Sequence, residues 1–166
     1  MEREAWPAAT ASPRALRRRR AYSYRDDPAV PRFADDKGLI VFDGVCVLCA
    51  GFARFVLQRD RDFAFRLTTA QSPVGEALFR HYGLRTDSYE TNLVLIGGRA
   101  YAKLDSVIAV GQQIGGVWRL MGVLRLLPSP LADWLYDRIA QNRYRLFGRT
   151  EACMLTPPEW RERFIA

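Results

Sequence analysis

The stretch LIVFDGVCVLC, at residues 39 to 49, joins a strand-like segment to the start of a helix-like one. Leu39 to Phe42 form a continuous apolar run, which is typical of a strand buried on both faces. From Leu48 onward, apolar side chains recur at helical spacing as far as Val56, which predicts a helix from about Cys46 to Arg59. Two cysteines in a C-x-x-C spacing therefore lie where the strand ends and the helix begins.

The segments after this helix predict a second strand, a second helix, a hairpin and a third helix. Ser72 and Pro73 have the pattern of an N-cap and first helical residue, and Gly83 that of a helix stop. Gly97 and Gly98 can supply the positive φ angles of a tight hairpin turn. The expected ranges are 63–67 for the strand, 73–82 for the helix, 92–96 and 100–104 for the hairpin, and 105 or 106 to 115 for the last helix. The order β-α-β-α-β-β-α is that of a thioredoxin-like α/β core.

Two more helical stretches, at 117–127 and 131–147, follow this core. Pro128-Ser129-Pro130 separates them, because proline cannot continue a helix. Leu131, Leu135 and Ile139 form an apolar stripe on the second stretch, which predicts that this face packs against the rest of the domain. We therefore expect a C-terminal helical appendage on the α/β core.

Length and composition favour one domain. A chain of 166 residues with 49% hydrophobic content can bury a single core. Three cysteines, two of them in one C-x-x-C, are too few for a disulfide-stapled secreted scaffold and indicate redox or metal chemistry in a reducing compartment, with a cytoplasmic location expected. The expected organisation is a disordered basic N-terminal tail at 1–36, the thioredoxin-like domain at 37–155 and a C-terminal tail at 156–166.

The expected N-terminal tail is rich in arginine, with Arg14 and Arg17 to Arg20 supplying much of the formal net charge of +7. It lacks hydrophobic periodicity, so it is expected to stay solvated. Weak contact with an anionic surface is possible for such a segment, whereas no specific nucleic acid is expected as a partner. The sequence contains neither a signal-peptide pattern nor an apolar segment long enough to cross a membrane.

The position of the C-x-x-C motif predicts different roles for its two thiols. Cys46 lies at the helix start, where the dipole and unpaired N–H groups stabilise a thiolate. Cys49 lies one turn further on, where it can attack a mixed disulfide at Cys46, so we expect it to be the resolving thiol and the more buried of the two. Such exchange requires no cofactor.

Three other residues are candidates for the same site. Asp43 could accept and return the proton of Cys49 as a general base, or it could cap the following turn by accepting backbone N–H bonds, and the sequence leaves both open. Thioredoxins place a cis-proline beside the dithiol just before the third strand. No proline precedes the strand at 92–96 here, so we expect Thr91 or Asn92 to occupy that substrate-facing position instead.

Asp43, Cys46 and Cys49 in DGVCVLC resemble the D-x-x-C-x-x-C signature of the DCC family of thiol-disulfide oxidoreductases. The segment NRYRLFGRTEAC at 142–153 also resembles the end of that family's domain, so the resemblance covers about 39–155. It implies a thioredoxin-like fold and exchange of the dithiol with a protein or small-molecule disulfide, with a further reductant as partner.

Two alternatives remain at this point. Cys46, Cys49, His81 and Cys153 could form a Cys₃His zinc site, although the last two lack a paired spacing. The chain could instead be a non-catalytic adaptor that binds nucleic acid or membrane through its basic tail. Outside these possibilities, Cys153 and His81 are expected to be ordinary packed or surface residues. Arg143, Arg145 and Arg149 are expected to form a solvated face.

Overall fold

The computed structural model describes residues 11–150 and 158–165. A four-stranded sheet has the order β2-β1-β3-β4, in which β1 pairs in parallel with β2 and antiparallel with β3, and β3 pairs antiparallel with β4. The strands are β1 (Gly38–Phe42), β2 (Phe65–Thr69), β3 (Leu93–Ile96) and β4 (Arg99–Ala102). The helices are α1 (Pro13–Arg18), α2 (Val47–Arg59), α3 (Pro73–His81), α4 (Lys103–Ile114) and α5 (Ser129–Phe147). This is a thioredoxin-like α/β fold, and the predicted fold class is confirmed.

The sheet separates two apolar clusters. Along β1, Leu39 and Val41 belong to the cluster that includes α3, while Ile40 and Phe42 belong to the cluster that includes α2. The side chains of a strand alternate between its two faces, so a continuous apolar run is needed when helices cover both. Helices α2 and α3 therefore lie on opposite sides of the sheet.

The local signals that start and stop these elements act as expected. The Ser72 side chain accepts a hydrogen bond from the Gly75 backbone N–H, and Pro73 is the first residue of α3. Gly97 and Gly98, with φ angles of 55° and 72°, form the hairpin turn between β3 and β4. Strand β2 is displaced from the expected 63–67 to Phe65–Thr69, because Asp60 accepts the backbone N–H groups of Ala64 and Phe65 and holds the preceding turn.

The expectation of a disordered tail at 1–36 is wrong for its described part. Helix α1 packs near β4, and Leu16, Tyr24 and Val30 are buried in the same cluster as α3. Tyr22 donates its backbone N–H to the Gly98 carbonyl at 2.8 Å, and its ring lies directly against Gly98. The segment is anchored by a few widely spaced apolar side chains, which show no helical or strand period in the sequence.

The described part of the expected C-terminal tail also packs on the domain. A short 3₁₀ helix covers Pro158–Arg163. Arg163 is buried and binds the Asp60 carboxylate and the Phe65 carbonyl, and Ile165 donates its backbone N–H to Leu67 on β2 at 2.8 Å. The packed domain therefore extends past the expected boundary at residue 155.

The predicted helical appendage is present, with a different inward face. A 3₁₀ helix covers Gly116–Leu126 and packs on α4, and α5 follows. Leu131, Leu135 and Ile139 are exposed, so the prediction that they pack inward is wrong. Ala140 and Arg143 are the buried residues of α5. Within the described ranges, the helices lack the combination of length and apolarity that crossing a membrane requires.

Candidate active site

The junction between β1 and α2 places Asp43, Cys46 and Cys49 within two turns of chain. Asp43 follows the last residue of β1, and its carbonyl accepts the Cys46 backbone N–H at 3.3 Å. Cys46 is the N-cap of α2, and its sulfur accepts the Cys49 backbone N–H at 3.4 Å. A sulfur in this position satisfies one of the free N–H groups of the first turn, and those groups in turn stabilise negative charge on the sulfur.

The two thiols are shifted in opposite directions. The pKa of Cys46 is lowered to about 6, chiefly because the Cys49 thiol donates a hydrogen bond to it, with the Cys49 backbone N–H and the Arg143 guanidinium adding to this against the effect of burial. The pKa of Cys49 is raised, because its proton is held by the Cys46 sulfur and because it is buried. These opposite shifts favour a thiolate at Cys46 and a protonated thiol at Cys49.

Both thiols are reduced and buried. The expectation that Cys49 is the more buried is wrong for solvent exposure, since Cys46 is 0% exposed and Cys49 is 6% exposed. The reason lies after α5, where the chain turns at Gly148 and runs beside the start of α2. Arg149 pairs with Cys46 as an isolated antiparallel bridge, and Thr150 donates its backbone N–H to the Val45 carbonyl at 2.9 Å. We call residues 148–150 the covering segment.

Asp43 is 1% exposed and its carboxylate is fully occupied by hydrogen bonds. One oxygen accepts from the Val45 backbone N–H at 3.1 Å and from the Gln71 side-chain amide at 2.7 Å. The other accepts from Arg143 at 3.0 Å and from the Tyr144 hydroxyl. The bond from Val45 is the turn-capping contact expected of a carboxylate at a strand end. The general-base role stays a prediction, and it would need a water or a rearrangement to connect Asp43 with Cys49.

Arg143 is the site residue that the sequence reasoning missed. Arg145 and Arg149 are exposed as expected, but Arg143 is buried. Besides Asp43, it donates to the Ser88 carbonyl and the Tyr144 hydroxyl, each at 3.0 Å. Arg143 lies three residues after Ala140, the other buried residue of α5. This spacing was the only signal in the sequence that the Arg143 side chain faces inward. Neighbouring leucines formed a stronger but outward-facing stripe.

A cleft of about 190 Å³ opens beside Cys49. Its walls are mostly apolar and come from α2, α4 and α5, and Asn92 contributes from the start of β3. The lining residues are Leu48, Cys49, Phe52, Asn92, Val107, Tyr136, Ile139, Ala140 and Arg143. Asn92 thus lies in the expected region, whereas Thr91 does not line this cleft. The Thr91 hydroxyl instead accepts the Lys103 backbone N–H at 2.8 Å, which supports the start of α4.

The residues of the hypothetical zinc site do not come together in the described part of the chain. His81 lies on α3, across the sheet from Cys46, and its ring nitrogens are paired with Asp27 at 2.7 Å and Ser23 at 2.9 Å. Cys153 lies outside the described residues. Residues 11–150 and 158–165 contain no cluster of three or more histidine, cysteine, aspartate or glutamate side chains that could hold a metal ion.

A thioredoxin-like fold that presents a thiolate and a protonated thiol at the start of its first core helix defines the class of thiol-disulfide oxidoreductases. Residues 40–149 match the family model described as DCC1-like thiol-disulfide oxidoreductase, and the chain belongs to this family. Its general role is therefore that of a thiol-disulfide oxidoreductase, and the zinc and adaptor alternatives are not favoured.

Two curated proteins are similar to the chain over most of its length. The uncharacterized protein YuxK of Bacillus subtilis is 37% identical over 127 residues, which is 76% of this chain and 93% of that protein. A chloroplastic DCC family protein of Arabidopsis thaliana, At1g52590, is 33% identical over 122 residues, which is 73% of this chain and 71% of that protein. No solved structure matches the chain significantly. The cytoplasmic location expected from the cysteine content stays a prediction, since one relative is chloroplastic.

Proposed function

We propose that the chain exchanges its Cys46/Cys49 dithiol with a protein or small-molecule disulfide, with Cys46 as the attacking thiol and Cys49 as the resolving thiol. The observation that carries this assignment is the position of Cys46 as the N-cap of α2, where its sulfur accepts the Cys49 backbone N–H at 3.4 Å; the pKa of Cys46 is correspondingly lowered and that of Cys49 raised. The attacking species in exchange is the thiolate, and only Cys46 supplies one near neutral pH.

In the first step, the Cys46 thiolate attacks one sulfur of the substrate disulfide. A bond forms between Cys46 and that sulfur, the substrate S–S bond breaks, and the other substrate sulfur leaves as a thiolate that takes a proton. Cys46 then no longer carries negative charge, so the hydrogen bond that held the Cys49 proton is lost. The pKa of Cys49 is raised by burial and by two effects of Cys46, its hydrogen bond and its negative charge. The two effects of Cys46 disappear at this point.

In the second step, Cys49 loses its proton and attacks the Cys46 sulfur. The mixed disulfide breaks, the second substrate thiolate leaves, and a Cys46–Cys49 disulfide remains. Two electrons have passed from the protein to the substrate, and an external dithiol or thiol must return them for a further cycle. The proton of Cys49 passes to the leaving thiolate or, if the general-base prediction holds, to Asp43.

Arg143 acts as a positioning and electrostatic residue in this scheme. Its positive charge favours the thiolate at either cysteine, so it supports the attacking form before the first step and the resolving form before the second. Asp43 and Tyr144 hold the guanidinium in place. The apolar cleft beside Cys49, with Asn92 in its wall, is the surface on which the substrate would lie.

The test is to trap the mixed disulfide. Cys49→Ser, incubated with native disulfide-bonded insulin or with glutathione disulfide, should accumulate a covalent adduct at Cys46. The attacking thiol is present in this variant and the resolving thiol is gone. Cys46→Ser should accumulate none. Mass spectrometry under non-reducing conditions identifies the adduct and its site. Adducts at Cys49 alone, or at neither residue in folded protein, would refute the assignment.

A further inference from the structure

The 3₁₀ helix Gly116–Leu126 presents a row of exposed aliphatic side chains that the dithiol chemistry does not use. Val117, Leu120, Val123 and Leu126 recur every third residue and are 61% to 83% exposed. A 3₁₀ helix has three residues per turn, so side chains at this spacing stand directly above one another. They form one continuous apolar ridge, which we call the aliphatic row.

The opposite side of the same helix is held firmly against the domain. Met121 packs against Gly111 of α4, and the Trp118 ring meets the Phe55 ring edge-on with 4.7 Å between centroids. The Gln112 side chain donates to the Arg119 carbonyl at 3.1 Å. The aliphatic row is therefore a fixed outer face of a packed element.

The charged residues within the helix that carries the row are all positive. From Ser106 to Ala132 the sequence contains no Asp or Glu, and its only charged residues are Arg119 and Arg125, both exposed. Arg59 lies over the Trp118 ring, and Arg14 and Arg17 share a hollow with Arg125, although Asp105 and Asp133 also line that hollow. Exposed aliphatic side chains flanked by guanidinium groups are typical of helices that lie in the interface of an anionic membrane.

We propose that the aliphatic row, with Arg119 and Arg125, is a docking surface for an anionic lipid membrane. The side chains of the row enter the boundary between head groups and acyl chains, and the two guanidinium groups bind lipid phosphates. A second copy of the chain fits this surface less well, because the helix that carries the row has arginines and no carboxylate of its own to pair with the arginines of the other copy. The surface lies outside the dithiol site and does not depend on its chemistry.

The experiment measures binding of the full-length reduced protein to phosphatidylcholine vesicles with and without phosphatidylglycerol, at low and at high salt. Wild type should bind the anionic vesicles and release as salt rises. Leu120→Gln combined with Val123→Gln should weaken binding by roughly tenfold or more. Arg119→Gln combined with Arg125→Gln should weaken it by roughly thirtyfold. Leu135→Gln is the matched control, since it is an exposed leucine on α5 between Asp133 and Asp137, and it should bind as wild type does.

All these side chains are exposed, so the variants should melt as wild type does, and circular dichroism checks this. Absence of wild-type binding to anionic vesicles at low salt would overturn the proposal. Normal binding by Leu120→Gln/Val123→Gln together with loss of binding by Arg18→Gln would also overturn it. That result would assign the vesicle binding to the N-terminal arginines. A wild-type dimer in sedimentation velocity that the row variant abolishes, without vesicle binding, would assign the surface to a second copy and overturn the proposal equally.

Discussion

The guanidinium of Arg143 lies 3.0 Å from the Asp43 carboxylate, although the two residues are 100 positions apart in the chain. Both side chains are almost completely buried. The ion pair joins the end of β1 to helix α5 close to the dithiol, since Cys49 and Arg143 line the same cleft. Helix α5, which follows the α/β core, therefore contributes a buried positive charge to the candidate site.

Replacing Arg143 with Met should destabilise the fold and weaken the thiolate. A buried carboxylate without its partner costs about 3 to 5 kcal/mol, and the pKa of Cys46 should rise because one of the charges that lower it is gone. Urea unfolding measures the first effect, and thiolate absorbance against pH measures the second.

Arg145→Met is the control for this change, because Arg145 is exposed on the same helix. It should alter stability by no more than about 0.5 kcal/mol and leave the Cys46 titration unchanged. Equal effects of the two substitutions would show that general charge, and not the contact with Asp43, is responsible.

The Cys49 thiol should control the pKa of its partner. Cys49→Ala removes the principal hydrogen bond to the Cys46 sulfur, so the pKa of Cys46 should rise from about 6 by roughly one to two pH units. Cys49→Ser keeps a hydroxyl donor and should raise it less. The rate of iodoacetamide labelling against pH reports both values. Identical titrations of the Ala and Ser variants would contradict a hydrogen-bond origin.

The low pKa of Cys46 should appear in the stability of the reduced protein. Folding lowers this pKa from an ordinary 9.0 to about 6, so the stabilisation is fully present above pH 9 and is lost as pH falls through 6. Between these values, wild type should gain stability over Cys46→Ser by at most about 1.4 kcal/mol per pH unit.

Denaturant unfolding of both proteins under reducing conditions gives this difference. Measurements should stop below pH 9. Near that pH Cys49 begins to ionise in the unfolded chain but not in the folded protein, which lowers the free energy of unfolding and so opposes the effect of Cys46. A constant difference across pH 6 to 9 would mean that the Cys46 thiolate is not stabilised by the fold.

The N-terminal helix should matter for stability. Leu16 is buried against the sheet, so Leu16→Ala should cost about 2 to 5 kcal/mol. Arg18→Ala, on the exposed side of the same helix, should cost less than about 0.5 kcal/mol. Thermal unfolding compares them, and matching melting temperatures would show that α1 is not part of the cooperative fold.

The parts of the structure that the sequence predicts well are those encoded locally. The strand-to-helix junction with its two cysteines, the Ser72-Pro73 helix start and the Gly97-Gly98 turn each depend on neighbouring residues, and each lies as expected. No local pattern encodes the contact of Arg143 with Asp43, because its partners meet only when the chain has folded.

Two patterns were misleading for a physical reason. Hydrophobic spacing shows which face of a helix is apolar, but not whether another element covers it, and Leu131, Leu135 and Ile139 form a face that stays exposed. The N-terminal segment had the opposite problem. Leu16, Tyr24 and Val30 are too far apart to form a period, yet each fills a separate position in the core.

The covering segment should control access to Cys46. Gly148 has φ 85° and ψ 173°, a conformation that only glycine adopts easily, and a Cβ there would meet no other atom. Gly148→Ala should therefore strain this backbone alone, favour opening and speed labelling of Cys46 by roughly tenfold. Gly51→Ala, on the open side of α2, is the control and should not change the rate. Unchanged labelling in Gly148→Ala would show that the segment does not limit access.

A thiolate at neutral pH is also the form of cysteine that peroxide oxidises, first to sulfenic acid and then irreversibly to sulfinic and sulfonic acids. In this protein the backbone of Arg149 is bridged to that of Cys46, which is 0% exposed, while the raised pKa of Cys49 favours its protonated form. The residue whose pKa favours the thiolate is thus one without exposed surface. We therefore expect the covering segment to slow both the approach of a substrate disulfide and the irreversible oxidation of Cys46.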